Sequence, residues 1–151
     1  MKADFLLALK STIDKVGHDL AQTLGPYEFI DIDDTVNVSE KLSGDDPALL
    51  WSLSRFVEAP RDPLYSLVFE VGVKTVADPA RYQQMDILGE VSGIFYTNRN
   101  IDVVDYSKAP LNTSVLGYLF ITRSSVNNQQ FDNQAGVRLV SIEAVAQRYT
   151  P

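Results

Sequence analysis

Cysteine is absent from this sequence, which excludes a disulfide framework, a thiol nucleophile and any thiolate metal site, and is compatible with a reducing compartment. Histidine occurs once, at His18, so a histidine-dependent triad has no obvious base. The position falls on the polar side of an expected helix. Basic residues number 13 against 20 acidic ones, a formal net charge of −7. That balance argues against tight binding to duplex DNA, which depends on neutralising phosphates with Lys and Arg. No apolar stretch approaches the length needed to cross a membrane. The opening MKADFLLALKSTIDK carries charges inside its apolar stretch and has no small-residue cleavage site, so it reads as a helix and not as a leader. Phosphate-cradling glycine loops, calcium loops and internal repeats are not found in the sequence.

What is present is an ordinary globular composition, 45% apolar over 151 residues, which is expected to form a single domain over residues 1–151 with one core. A chain of this length buries about 68–70% of its unfolded surface and needs no metal or disulfide staple. Phe5, Leu9, Ile13, Val16, Leu20 and Leu24 recur at spacings of four and three, which predicts a helix ended by Gly25-Pro26. Tyr27–Ile32 reads as a strand, with Val36–Val38 a candidate continuation and SEKLSGDDP a loop. Leu50–Glu58 reads as a strand around Trp51, with a helix from Pro47 capped by Asp46 as the alternative. LYSLVFEVGVKTV alternates strictly, placing Tyr65, Leu67, Phe69, Val71 and Val73 on one face. Asp78-Pro79 opens a second helix to about Phe95, with Tyr82, Met85, Leu88, Val91 and Phe95 turned inward. Strands follow at Asn100–Tyr106, Leu116–Ser124 and Val137–Arg148, the last two joined by an amide-rich loop around Phe131. The fold class expected is α+β, in the order α-β-β-β-α-β-β-β: a mostly antiparallel sheet with two helices packed on it and a long C-terminal hairpin.

Asp31-Ile32-Asp33-Asp34-Thr35-Val36 follows a hydrophobic strand and resembles the first motif of the haloacid dehalogenase phosphotransferase superfamily. The resemblance implies Asp31 as nucleophile, Asp33 as acid/base and Mg²⁺ between carboxylate and phosphate. A two-residue spacing on a strand does point both carboxylates one way. The match covers six residues, and no later acidic pair follows a hydrophobic strand to complete a cation site. The expectation is therefore a chain that is not an enzyme and carries no cofactor, its acidic run being a solvated strand end.

The final hairpin has apolar residues on both faces, which suits an arm that reaches a neighbouring subunit. Tyr118, Phe120, Phe131, Val137 and Leu139 are the candidate interface residues. The whole layout, an amphipathic helix, three strands with the SEKLSGDDP excursion, a helix opening with Asp78-Pro79 and a hairpin in LGYLFITRS and VRLVSIEAVAQ, resembles the tail terminator (tail-completion) proteins of long-tailed bacteriophages and, more loosely, their neck relatives. The resemblance is one of architecture and size. It implies a ring, typically hexameric, at the head-proximal end of the tail tube, with sister copies, tube protein and neck or connector proteins as partners. It also implies a place in the virion after assembly in the host cytoplasm, and an acidic lumen through which DNA slides without specific binding. A small α+β adaptor domain is the alternative, and a Mg²⁺-dependent phosphatase using Asp31 and Asp33 a further one.

Overall fold

The computed structural model describes residues 2–25, 27–31, 47–58, 64–75, 80, 82–107, 114–130 and 137–149. A first helix, α1 (Lys2–Leu24), forms on the four-and-three spacing of its apolar residues. Phe5, Leu9, Ile13 and Leu20 are buried, Val16 and Leu24 half-buried. Each fully buried side chain of this size contributes about 1.5–3 kcal/mol. Gly25 ends the helix at φ 124°, a left-handed conformation open to glycine at little cost.

One sheet follows, built from β1 (Glu28–Asp31), β2 (Ala48–Glu58), β3 (Leu64–Lys74), β4 (Asn100–Val103), β5 (Gly117–Gln130) and β6 (Val137–Arg148), with a second helix, α2 (Tyr82–Thr97), between β3 and β4. Their order across the sheet is β1-β2-β3-β6-β5-β4. Among the described strands only β1 and β2 pair in parallel; the remaining four neighbouring pairs are antiparallel. The expected α+β class and element order are both present. Residues 48–58 form a strand and not the alternative helix.

Both helices lie on the same face. The alternation expected for β3 holds, with Tyr65, Leu67, Phe69, Val71 and Val73 all buried. Register carries that face to Leu49 and Trp51 of β2 and to Val140, Ile142, Ala144 and Ala146 of β6. Phe5 stacks on Tyr65 with ring centroids 5.5 Å apart, and Phe95 of α2 meets Phe69 edge-on at 5.6 Å. Trp51 presses against α1 at Gly17, where a Cβ would stand 2.8 Å from the indole ring. Glycine there is a packing requirement.

Three sequence readings are corrected. Tyr82 and Met85 do not face inward: Tyr82 is 81% and Met85 49% exposed, while Gln84 and Ile87 take the buried positions. A polar residue is tolerated there because Gln84 Nε2 donates to the Val73 carbonyl at 2.8 Å. The strand read as Asn100–Tyr106 stops at Val103. In its place the hydroxyls of α1 take over: Val104 N donates to Thr12 Oγ1 at 3.1 Å, Thr12 Oγ1 donates to the Val104 carbonyl at 2.9 Å, and Tyr106 N donates to Ser11 Oγ at 3.1 Å. Finally, Ser125–Gln130, read as loop, continues β5. Antiparallel pairing to β6 satisfies backbone groups whatever the side chains, so a run of amides is no barrier to a strand. Val36–Val38, the SEKLSGDD run and Asp78-Pro79 lie outside the described residues.

Candidate subunit interface

Both described helices cover one face, and among the described residues no helix lies on the other face of the sheet. Tyr118 and Phe120 of β5 point to it, opposite Gln147 and Val145 of β6. Both are half-buried, as are Val145 and Val68, and Leu64 is 37% exposed. The Tyr118 hydroxyl donates to Gln147 Oε1, and its ring lies 6.2 Å from that of Tyr149. Of the other candidate residues, Leu139 stands opposite Gly72 and Val137 opposite Lys74, register positions that belong to the same face. Phe131 lies outside the described residues.

These candidates share a face without forming one patch. Val137 and Val145 are eight positions apart on β6, about 27 Å at 3.4 Å per residue. Tyr118 and Phe120 therefore gather with Val145 at one end, and Val137 and Leu139 sit at the other. At that second end Ile30, Ala48, Leu50 and Gly72 are buried, although register turns them away from the helices.

Sequence reasoning missed two features of this surface. The first is the pair of four-residue strands, β1 and β4, that terminate the sheet. Their shortness leaves much of the neighbouring long strands without a strand partner among the described residues, which no periodicity signals. The second is the outward side of α2, where Tyr82, Met85 and Tyr96 are exposed and a Cβ added at Gly89 or Gly93 would meet nothing within 4 Å. Between α1 and α2 runs an apolar groove of about 300 Å³ lined by Val16, Leu20, Ile94, Phe95 and Ile101, with Asp19 and Asn98 among its polar members.

The acidic motif is differently placed from what a phosphotransferase needs. Asp31 ends an edge strand of four residues in a mostly antiparallel sheet, whereas the resemblance requires a central parallel strand. Asp33 and Thr35 lie outside the described residues. Among the described residues no three His, Asp or Glu side chains gather as a metal site. His18 is exposed, with its ring tilted over Phe29 at 4.2 Å. Burial, and then the nearby Glu90 carboxylate, raise the Tyr27 hydroxyl above its ordinary value. Lys15 is raised by its hydrogen bond and ion pair with Asp19, 3.0 Å away.

No protein-family model matches this chain, and neither does any curated protein. Solved structures do match. One of them, whose given name states no function, aligns over 96% of both chains with a TM-score of 0.54 at 12% sequence identity. Likeness at that identity establishes the fold alone.

Proposed function

We propose that this chain is a structural assembly protein that closes a ring at the head-proximal end of a phage tail tube, as a tail terminator or related neck component, and acts by binding alone. The observation that carries the reading is the face of the sheet on which no described helix lies, where Tyr118, Phe120, Val145 and Val68 leave apolar surface half-covered. A two-layer fold of this kind gains by burying that face against a partner. The element order agrees with the architecture that suggested the family. The net charge of −7 suits a ring through which DNA slides, since the phosphates find little to grip.

Sizing with light scattering and negative-stain microscopy tests the proposal. A ring of copies is the expected result, together with capture by tube and neck proteins. A monomer at every concentration overturns it. The position of the gene is a second check, because a place between connector and tube genes is expected. The groove between α1 and α2 favours a second reading, a small adaptor domain that holds an apolar segment of another protein. A monomer that binds such a segment would support it. Magnesium-dependent hydrolysis of an aryl phosphate, lost in Asp31→Asn, would instead promote the phosphotransferase reading.

A further inference from the structure

We infer that the groove between the C-terminal halves of α1 and α2 receives a short amphipathic helix of another protein, apolar on one side with lysine or arginine beside that stripe. The inference rests on the second reading above, the groove as holder of an apolar segment, and names the segment's chemistry. It does not depend on a ring.

The trough is apolar and elongated. Leu20 and Phe95 are buried beneath it, while Val16, Ile94 and Ile101 stay half-buried along its walls. Its volume of about 300 Å³ lies at the small end of ligand sites, which run from roughly 300 to 1,000 Å³. Past Thr23, Ile94 and Asn98 it continues into a more open hollow beside Leu24, Glu90 and Gly93. That shape suits side chains spaced along a segment better than one compact molecule. Gly93 leaves it wide, since a Cβ added there would meet nothing within 4 Å.

Backbone chemistry selects a helix as the occupant. Both walls are helices, whose N–H and C=O groups are largely spent on their own turns. A strand laid here would find no backbone to pair with. A helix satisfies itself and offers residues at i, i+3, i+4 and i+7.

Charge selects the sign. The trough lies where both helices end, and a helix C-terminus carries roughly half a negative charge. Neither helix has a basic residue in its last turn. The two charged residues that line the trough, Asp19 and Glu90, are both acidic. Lys15 pairs with Asp19 at 3.0 Å and Arg99 lies over the Tyr96 ring, and neither lines the trough. A second copy is a poor occupant, because the exposed side of its α2 carries Asp86 and Glu90 in a chain of net charge −7.

Three labelled synthetic helical peptides test this on the full chain by fluorescence anisotropy. They share leucine at i, i+3, i+4 and i+7 and carry lysine, glutamine or glutamate at the flanking positions. The lysine peptide should bind best and the glutamate peptide worst, and rising salt should narrow the difference. Gly93→Leu fills the trough without altering charge, and should weaken the lysine peptide at least about tenfold with the fold intact by circular dichroism. Glu90→Lys should weaken the lysine peptide by a similar factor and favour the glutamate one. Equal affinity for all three peptides, lost in Gly93→Leu, overturns the charge assignment and leaves the groove as an apolar holder. Lysine-peptide binding that survives Gly93→Leu is attraction to an acidic surface at large and overturns the site. No binding by any peptide overturns both the inference and the reading it rests on.

Discussion

At the scale of single residues, space around glycine separates positions that look alike in the sequence. A Cβ at Gly117 would lie 2.2 Å from the Gln147 carbonyl oxygen, 2.7 Å from Phe5 and 3.0 Å from Arg148 Cα. Backbone cannot step aside as a ring can, so Gly117→Ala should cost more than Gly17→Ala, each at least about 1–3 kcal/mol in urea unfolding. Gly89→Ala and Gly93→Ala meet nothing within 4 Å on an exposed helix and should stabilise by up to about 1 kcal/mol each. Equal effects at all four sites would contradict the packing described. Tyr27 makes a pH prediction. Its hydroxyl is raised in the folded state, so the associated stability is present below the unfolded value of about 10 and is lost as pH rises through the folded one. Tyr27→Phe should therefore flatten the alkaline limb of a melting-temperature profile and leave neutral pH unchanged. None of this was legible beforehand, because a close approach between α1 and Trp51 or between Phe5 and β5 exists only once distant segments are packed.

Elements were more legible, and the reasons are physical. β3 and β6 alternate because one face of each is buried under helices, and a half-buried strand must repeat every two residues. The stripe of α1 was equally plain. Reading failed where the determinant was another element. The half of β5 from Ser125 onward resembles a loop by composition, yet β6 lies beside it and holds it extended. The inward face of α2 was misplaced at Tyr82 and Met85 because the Val73 carbonyl makes a buried glutamine acceptable. Of the candidate interface, Tyr118 and Phe120 were found on a shared face, but its division into two ends depends on register. β4 stops early because Thr12, 1% exposed, supplies both a donor and an acceptor to Val104. Thr12→Val keeps the shape and removes both bonds, leaving the buried Val104 N–H without a partner and its carbonyl with only the Ser11 hydroxyl, 3.2 Å away. It should cost about 1–3 kcal/mol, with faster amide exchange at Val104 than elsewhere in the sheet. Unchanged exchange there would mean that α1 does not hold this margin.

For the molecule as a whole, charge and apolar surface act against each other. Copies carrying −7 each repel at a distance, and that repulsion is screened beyond about 10 Å at 0.1 M salt. An apolar contact through the face that no described helix covers would act only at short range and be largely indifferent to salt. Association through it should therefore strengthen from low to moderate ionic strength, and again as pH falls towards the sequence pI of about 4.6. Nucleic-acid binders behave oppositely, weakening as salt rises, so the sign of the dependence separates the two kinds of assembly. Phe120→Glu completes the argument. The side chain is half-buried on that face, opposite Val145, and its replacement should change the stability of one copy by no more than about 1 kcal/mol. An acidic group there would have to be desolvated against an apolar neighbour and would add to the existing repulsion, so association should fall by at least about tenfold, the equivalent of 1.4 kcal/mol. Sedimentation at several salt concentrations reads both effects in one series. Should Phe120→Glu assemble as the parent does, with the same salt dependence, this face is not where the copies meet.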